Sequence, residues 1–571
     1  MTKYIVVVGG VISGVGKGVA TASIARIMKE YGFSVSVMKI DPYINCDAGT
    51  LRPTEHGEVW VTDDGGEIDQ DLGTYERFLG QSLSKKNNIT TGQVYKNLIE
   101  KERRGDFLGE TVQFIPHVPE EIKSRIKEIS EDKDIVLIEV GGTIGDYENL
   151  PFLYALRSLE IDIGRENLSY IMVTYLPIPS HIEEMKTKPT QMAVKLLRES
   201  GISPDFILCR GKKALDDVRK KKIELYANIK SERVISMPDV IGEGTVNTTY
   251  IVPLDLEEEN MGDKLLERLN LEKKKEPEWD AWKSAVARIL KPEKRIKIGM
   301  VGKYLDIGEF QLKDSYLSVS QALMHAGAKH NCGVDIVWVD SKDFEKDPLT
   351  IEKLKDLQGI IIPGGFGSSG VEGKIRAIKY AREHNIPYLG LCLGMQLAVI
   401  EFARNVCGLD AHSTEINPES PHPVIDILPE QKEVMDKGGT MRLGAYKAIL
   451  GEGSKVRELY GGTEFVYERH RHRYEVNPDY HERLSNAGLK FSGVSPDGKL
   501  VEFIELEGHK FFIATQAHPE FTSSLLKPNA LFDGFVKVAC GGDNSEEYKV
   551  IKGDTIDNGL SKDYKDFSEK V

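Results

Sequence analysis

The sequence predicts an α/β fold with two domains, the first built on a mostly parallel sheet covered by helices on both faces. Short apolar runs at residues 5–8, 135–138, 170–173 and 206–208 are typical of buried strands, and stretches with helical spacing alternate with them. A second series of this kind opens at residues 296–302. At 571 residues, the chain also exceeds what one hydrophobic core usually organises, so two or three domains are expected.

Each predicted element follows from local patterning. The run at residues 5–8 leads into a glycine-rich turn and then into apolar residues at helical spacing from Val19 to Met28, which gives strand, loop and helix. Alternating apolar residues from Val35 to Ile40 predict the next strand. In the second series, strands are predicted at residues 334–339, 360–363, 387–391 and 511–516.

The connection between the two series is charged. Acidic and lysine runs lie at 257–259 and 273–275, and Trp279, Trp282 and Val286 then share a helical face with Ile289. We therefore predict a first domain at 1–265, a linker with a helix at 266–296 and a second domain at 297–540. Residues 541–571 lack apolar periodicity and are predicted to be a disordered tail.

Composition restricts the class of protein. A net charge of −14 argues against wrapping nucleic acid, which requires an excess of Lys and Arg. No apolar stretch reaches the length of a membrane span, and no signal peptide is recognisable. The six cysteines form no CxxC pair, which is typical of a reducing compartment. We expect a cytoplasmic protein without nucleic-acid or membrane partners.

The turn at residues 9–18 has the features of a phosphate-binding loop, which makes the first domain Rossmann-like and P-loop-type. Glycines let backbone N–H groups approach a phosphate, the following helix adds partial positive charge, and Lys17 can reach the outer phosphates. The spacing is one residue too long for the usual P-loop, and Gly18 replaces the Ser or Thr that normally binds Mg²⁺. A plain glycine-rich turn is the alternative.

The missing hydroxyl requires other oxygens to hold a metal. Asp71 and Glu139 are the candidates, because Glu139 directly follows a buried strand and ligands collect at the carboxyl edge of such sheets. Lys39 is a second candidate phosphate donor. The run at 186–191 gathers ammonium, hydroxyl and amide donors, although such a run is usually a polar loop.

A cysteine in the second domain has the surroundings of a nucleophile. Cys392 lies in a Gly-Leu-Cys-Leu-Gly sequence between an apolar strand and a helical run, where small residues permit a sharp strand-to-helix turn. A buried structural cysteine is the alternative. Another predicted strand runs into His518 and Glu520, which can act as base and orienting acid, and residues 364–367 offer N–H groups for an oxyanion.

These motifs resemble those of class I glutamine amidotransferase domains. The resemblance implies that Cys392 is the nucleophile, His518 the base and Glu520 its orienter in a site that releases ammonia from glutamine. It also implies an oxyanion-hole and glutamine-binding set: Gly365, Leu393, Gly394, Met395, Gln396, Glu415 and Arg473. Arg473 lies in the cluster 468–476, whose alternative interpretation is a solvated basic patch.

The first half narrows the family. The segments 39–45, 56–59, 75–78, 101–106 and 186–191 closely resemble the CTP synthase family, and the resemblance runs from Thr2 to about Val536. It implies that ATP phosphorylates the 4-oxygen of UTP and that ammonia then displaces the phosphate, giving CTP. It also implies feedback inhibition by CTP, activation by GTP, a homotetramer with nucleotide sites across subunits, and frequent filaments.

The resemblance assigns further residues. The predicted ATP-binding set is Gly14, Val15, Gly16, Lys17, Gly18, Lys39, Asp71, Asp239 and Val240. Asp71 and Glu139 would hold Mg²⁺. The predicted UTP- and CTP-binding set is Ser13, Asp146, Tyr147, Glu148, Lys186, Thr187, Lys188, Pro189, Thr190, Gln191 and Lys222. Pro53, His56 and Val59 would form the gate of an ammonia tunnel.

Three positions depart from the family pattern. Pro238 stands where a basic residue usually precedes Asp239 and Val240, Ser369 lies where an Arg linked to GTP activation is common, and Glu183 replaces an expected Gly. Two other functions are weighed: another ATP-dependent amidotransferase, such as a cobyrinic acid amide synthase, and an inactive, nucleotide-regulated filament scaffold. A cobyrinic acid amide synthase would have no use for the donors at 186–191. The intact set of Cys392, His518 and Glu520 argues against an inactive scaffold.

Overall fold

The structure is a computed structural model that describes residues 1–51, 57–181, 184–240, 248–302, 313–428 and 441–542. Pro53, His56, Glu183 and residues 543–571 of the predicted tail lie outside the described residues. Within the described ranges, no helix is both long and apolar enough to cross a membrane. The division at 1–265, 266–296 and 297–540 stays a prediction, and "first" and "second" domain are used below in that sense.

The first domain contains a parallel sheet, as predicted from its apolar runs. Its strands within the described residues are β1 (Lys3–Gly9), β2 (Val35–Asp41), β5 (Asn88–Thr90), β6 (Ile135–Val140), β7 (Leu168–Tyr175), β8 (Phe206–Gly211) and β9 (Val234–Pro238), in the order β5-β2-β6-β1-β7-β8-β9. Every pairing is parallel. A small antiparallel pair is formed by β3 (Val59–Val61) and β4 (Glu67–Asp69).

Helices cover both faces of this sheet. They are α1 (Lys17–Glu30), α2 (Asp71–Leu79), α3 (Thr91–Arg104), α4 (Phe114–Glu128), α5 (Leu150–Ile163), α6 (Lys188–Glu199), α7 (Asp217–Ala227), α8 (Val252–Glu258) and α9 (Met261–Leu269). Successive side chains of a strand point to opposite faces, so Ile5 and Val7 join one apolar core whereas Val6 and Val8 join the other. Burial on both faces explains why these strands are continuous apolar runs.

The second domain has a mixed sheet. Its strands are β10 (Lys294–Gly302), β11 (Cys332–Asp340), β12 (Gly359–Ile362), β13 (Tyr388–Leu391), β16 (Arg442–Leu450), β17 (Phe465–His472), β19 (Leu489–Val494), β20 (Val501–Leu506) and β21 (Phe512–Thr515). Their order is β11-β10-β12-β13-β21-β20-β19-β16-β17. Pairing is parallel from β11 to β21 and antiparallel from β21 onward.

A smaller sheet and several helices complete this domain. The small sheet contains β14 (Ala411–Ser413), β15 (His422–Ile427) and β18 (Tyr474–Val476). The helices are α11 (Leu317–Lys329), α12 (Ser341–Lys346), α13 (Val371–Glu383), α14 (Leu393–Asn405), α15 (Lys455–Leu459), α16 (His481–Asn486) and α17 (Ala530–Ala539). Two further apolar cores lie on the two faces of the mixed sheet.

A helix lies within the predicted linker. This helix, α10 (Asp280–Leu290), buries Trp282, Val286 and Ile289 on one face, as the spacing predicts. Trp282 is 1% exposed, its indole N–H donates to the Tyr250 carbonyl at 2.7 Å, and the Arg26 guanidinium lies 4.7 Å from its ring centre. The connection is therefore anchored to the core of the first domain.

We expect Trp282→Ala to destabilise the protein by about 3–5 kcal/mol, because it removes a buried aromatic side chain and its hydrogen bond to the Tyr250 carbonyl. Urea denaturation followed by tryptophan fluorescence and circular dichroism would measure this as a lower midpoint. Lys283→Ala, an exposed change on the same helix, is the control and should alter stability by less than about 0.5 kcal/mol. Equal midpoints for the two variants would contradict the anchoring role.

Candidate active site

The first centre surrounds the loop between β1 and α1. Gly14 and Gly16 have φ angles of 70° and 90°, a left-handed region that glycine enters without steric cost. Lys17, the first residue of α1, donates from Nζ to the Gly142 carbonyl oxygen at 2.6 Å. Burial lowers the pKa of Lys17, although Glu139 opposes the shift. The loop thus places an ammonium group between the ends of β1 and β6.

Acidic side chains lie directly beside this loop. A Cβ placed on Gly18 would lie 2.6 Å from Asp71 Oδ1 and 3.8 Å from Glu139 Oε2. Asp71 thus fills the space that the usual P-loop hydroxyl would need. Lys39 is buried, pairs with Asp71, and lies 3.5 Å from both Asp41 Oδ1 and Glu139 Oε1. The structure therefore brings together four residues that the sequence analysis selected separately, namely Lys17, Lys39, Asp71 and Glu139.

The charges in this cluster are strongly coupled. Burial opposes the charge on Lys39, but Asp71 and Glu139 outweigh it and raise its pKa well above the usual value. Burial raises the pKa of Glu139, whereas the neighbouring cations lower that of Asp71 despite its burial. An additional cation near the two carboxylates would stabilise their charged forms, which burial disfavours.

The carboxylates are compatible with a magnesium ion. Among the described residues, no group of three or more His, Cys, Asp or Glu side chains could hold a metal by itself. Mg²⁺ commonly takes only one or two carboxylates and completes its shell with water and substrate phosphates. Asp71 and Glu139, adjoining a phosphate-type loop, supply that donor set.

A cavity of about 360 Å³ opens next to the loop. It is lined by Gly16, Val19, Arg210, Met237, Pro238, Asp239, Val240, Thr248, Thr249, Val252 and Gln321. The Arg210 guanidinium donates to the Gly14 carbonyl oxygen at 3.0 Å and pairs with Asp239. The predicted residues Asp239 and Val240 therefore face the same space as the loop.

Arg210 was not predicted from the sequence. This residue supplies a guanidinium to the cavity beside Pro238. Its position near the carboxyl end of a buried parallel strand was the available signal, because the same rule selected Glu139.

Two groups of predicted nucleotide-binding residues lie nearby. Ser13 is exposed in the loop, and Asp146 accepts hydrogen bonds from the Thr143 N–H at 2.7 Å and hydroxyl at 2.8 Å. Asp146 also opposes the lowering of the Lys17 pKa by burial, although more weakly than Glu139 does. Tyr147 is 86% exposed and Glu148 is also exposed, so both are accessible to a ligand or another chain.

The run at 186–191 forms the entry to α6. Thr187 precedes the helix, and Lys188, Pro189, Thr190 and Gln191 make its first turn, where free N–H groups favour anions. Thr190 is buried and its hydroxyl lies 2.9 Å from that of Thr174. Lys186 Nζ lies 2.6 Å from Glu184 Oε2. Lys222 is exposed on α7.

The second centre lies at the end of β13. Cys392 has φ 50° and ψ −102°, a strained turn between strand and helix, and its N–H donates to the Thr515 carbonyl at 2.8 Å. A Cβ on Gly390 would lie 2.8 Å from the Ala514 Cβ, and one on Gly394 would collide with the Ile362 carbonyl. Both glycines are therefore required for this turn to pack against its neighbouring strands.

His518 and Glu520 lie beside Cys392. His518 Nδ1 lies 2.8 Å from Glu520 Oε1, and the imidazole interacts with the Cys392 side chain. Burial disfavours the imidazolium, but Glu520 and then Cys392 stabilise it and raise the pKa of His518 to about 10. Gln516 Nε2 lies 3.6 Å from the Cys392 sulphur. The three residues predicted as a triad are thus adjacent and buried.

The glycine-rich loop after β12 passes this centre. A Cβ on Gly364 would lie 2.7 Å from His518 Cε1, and one on Gly365 would lie 3.5 Å from Leu393. The Gly367 N–H donates to Glu415 Oε1 at 2.9 Å. The loop therefore runs between the imidazole and the start of α14, where an oxyanion site was predicted.

Three of the remaining predicted glutamine-binding residues, Gln396, Glu415 and Arg473, interact with Tyr474. Gln396 Nε2 donates to the Tyr474 carbonyl at 3.0 Å and to Gln516 Oε1 at 3.2 Å. Glu415 and Arg473 both act electrostatically on the Tyr474 hydroxyl. Leu393, Gly394 and Met395 are buried in the first turn of α14.

The interpretation of residues 468–476 as a solvated basic patch is wrong. Five of its polar members are buried, namely Glu468, Arg469, His470, His472 and Glu475, and so is Val476. Alternate residues of β17 point to opposite sides, so the arginines face the first domain and the histidines face the interior of the second.

Val59 is the member of the predicted ammonia gate that lies in the described part of the chain. It opens β3 and is buried. Pro53 and His56 stay predictions.

Known families match both halves of the chain. Residues 3–271 match the CTP synthase N-terminus and residues 311–538 match the class-I glutamine amidotransferase family. A CTP synthase of Methanococcus maripaludis is 53% identical over 94% of this chain and 99% of its own length. That of Methanocaldococcus jannaschii is 53% identical over 94% of this chain and 98% of its own length.

A solved glutaminase domain of a Trypanosoma brucei CTPS, with bound acivicin, is 41% identical and covers 43% of this chain and 95% of its own, at a TM-score of 0.41. The near-complete coverage of both relatives decides the family, because the matched residues include both centres described above. The chain belongs to the CTP synthase family.

Proposed function

We propose that this chain aminates UTP to CTP, using ATP and the nitrogen of L-glutamine. One observation carries the proposal: a single chain contains a phosphate-type loop flanked by Lys39, Asp71 and Glu139, and also a strained Cys392 beside an oriented His518. A phosphorylating centre and an ammonia-releasing centre are the two parts that such a reaction needs.

The first centre would activate UTP. The 4-oxygen of uracil is a poor leaving group, so the γ-phosphoryl group of ATP is transferred to it and ADP departs. Ammonia then adds at C4, and phosphate leaves with that oxygen to give CTP. Lys17 and Lys39 would stabilise charge on the transferring phosphoryl group. Mg²⁺ held by Asp71 and Glu139 would neutralise further charge on the phosphates.

The second centre would supply the ammonia. The Cys392 sulphur attacks the amide carbon of glutamine, and His518 gives a proton to the departing nitrogen. Ammonia and a thioester result, and water then releases glutamate. Glu520 keeps the imidazole oriented through Nδ1, and the N–H groups near Gly365 would bind the oxyanion. Val59 would border the route of ammonia between the centres.

The other predicted properties come from the family resemblance. They are binding of UTP and CTP by the residues named above, CTP inhibition, GTP activation, a homotetramer, filaments and a cytoplasmic location. The exposure of Ser13, Tyr147, Glu148 and Lys222 supports a nucleotide site that a second subunit completes. Ser369, which replaces a family Arg, is exposed, and GTP dependence is expected to be weak or differently built.

We expect Cys392→Ala to lose glutamine-dependent CTP formation by at least about 1,000-fold, because the nucleophile is gone. CTP formation from UTP, ATP, Mg²⁺ and an ammonium salt should persist, since the first centre needs only ammonia. Cys407→Ala, which changes a thiol outside the site, should retain both activities. Loss of both activities in folded Cys392→Ala protein would contradict the two-centre arrangement.

Lys17→Ala should abolish CTP formation with either nitrogen source, because the Lys17 side chain is needed for the phosphorylation of UTP, which precedes the addition of ammonia. The expected loss is at least about 100-fold. Both rates are measured by absorbance on UTP conversion. Normal CTP formation by this variant would show that the loop does not hold the reacting phosphates.

Glu520→Gln should lower the pKa of His518 from about 10, because Glu520 is the main charge that stabilises the imidazolium. In the unaltered protein the imidazolium persists as pH rises until about 10, so it faces the sulphur throughout the neutral range. In the Glu520→Gln variant, His518 should lose its positive charge at a lower pH. We expect kcat/KM for glutamine to fall about 100-fold and the alkylation of Cys392 by iodoacetamide to slow at pH 7. An unchanged pH profile of alkylation would refute this electrostatic role.

A further inference from the structure

An aromatic stack connects the first domain to His518. The Phe521 ring lies parallel to the imidazole, with centroids 5.2 Å apart and planes 15° apart. Trp60 of β3 packs in turn on Phe521, with ring centroids 4.8 Å apart. Trp60 and Phe521 are 1% and 4% exposed, so neither ring has room to move independently. The ring that stacks on the predicted base is thus held by a residue of the other domain.

The stack controls a degree of freedom that the hydrogen bond to Glu520 leaves open. That bond fixes Nδ1, but the imidazole can still tilt about the line between Nδ1 and the carboxylate. Phe521 lies against one side of the His518 ring. The Gly364 backbone approaches the Cε1 atom of His518 so closely that no side chain fits at position 364. The ring plane, and hence the direction of Nε2, depends on where Phe521 lies.

A second contact supports the same segment. The His518 N–H donates to the Arg469 carbonyl at 2.7 Å. The Arg469 guanidinium pairs with Asp63 at 2.6 Å and Glu76 at 2.8 Å, both in the first domain, and lies 5.3 Å from the Trp60 ring centre. Backbone and ring of His518 are therefore both braced by groups that contact the first domain.

The strand that carries Trp60 is tied to the second domain on both sides. Before Trp60, Glu58 accepts a hydrogen bond from the Ser318 N–H at 2.8 Å. After it, Asp63 pairs with Arg469. Trp60 also packs against Gly73 of α2, the helix that begins at Asp71, so a single side chain touches elements of both centres.

We infer that Trp60 is a positioning residue for the glutaminase reaction, acting through Phe521 on the orientation of His518. Docking of the first domain thereby sets the geometry of the ammonia-releasing base. The inference rests on the proposed function, because it assumes that His518 transfers a proton. It assigns the first domain a part in glutamine hydrolysis in addition to binding nucleotides.

A double-mutant cycle tests this. The variants are Trp60→Leu, Phe521→Leu and the pair, with Trp60→Phe as the conservative change. The Trp60 indole N–H has no hydrogen-bond partner among the residues that the structure describes, so Trp60→Phe keeps an aromatic ring without breaking such a bond. Glutamine- and ammonia-dependent CTP formation and glutamate release are measured, with kcat and KM separated.

Trp60→Leu should lower kcat for glutamine about 10- to 100-fold, with a smaller change in KM and in the ammonia-dependent rate, since a misdirected base slows the chemical step. Phe521→Leu should have a similar effect, and the double variant should be no worse than the worse single one. Trp60→Phe should recover most of the rate. Trp279→Leu, which removes another tryptophan of the same apolar core, should leave the ratio of the two activities unchanged.

Additive losses in the double variant would overturn the inference, as would equal losses for Trp60→Phe and Trp60→Leu or an equal fall of both activities. If Trp60→Leu does not fold, Trp60→Met, which retains more volume, takes its place under the same criteria. Failure of the proposed function is distinguishable: the unaltered protein would then form no CTP, whereas glutamate release would still report on the coupling.

Discussion

A guanidinium sealed between the two domains fixes how they meet. Arg469 is 1% exposed and pairs with Asp63 and Glu76, which come from the other domain. Despite burial, this cation keeps the pKa of Asp63 below its usual value. Withdrawing the partners would leave a buried charge uncompensated, at a cost of roughly 3–5 kcal/mol. This buried ion pair therefore ties the two domains together beside the second centre.

Local sequence pointed to Cys392 and His518, but it revealed neither Arg210 nor the interface between domains. The turn around Cys392 was predicted from two glycines between a strand and a helix. His518 was predicted from the strand that precedes it. Arg469 and Asp63 are separated by 406 positions, and nothing in either segment identifies its partner. The cluster at 468–476 looked solvated for the same reason: its neutralising acids lie in a distant part of the chain.

The structure around the phosphate loop accounts for Gly18, which stands where the usual P-loop has a Ser or Thr. The sequence indicated that oxygens other than a hydroxyl must serve a metal at Gly18. In the structure, the Asp71 carboxylate stands so close that a Ser or Thr would clash. A side chain at position 18 would therefore displace the Asp71 carboxylate from its present place. Arg210, from the strand beside that of Pro238, brings positive charge to the neighbouring cavity.

Both centres follow one topological rule, and strand order is the information that the sequence lacked. Lys39, Glu139 and the loop before Lys17 lie at the carboxyl ends of β2, β6 and β1, which are neighbours in the first sheet, and Lys39 is the register partner of Glu139. The loop at 364–367, Cys392 and His518 follow β12, β13 and β21, which are neighbours in the second. Because parallel neighbours end at the same edge, side chains more than a hundred residues apart converge there. The position of β21 beside β13 is what turns a cysteine and a histidine into a pair.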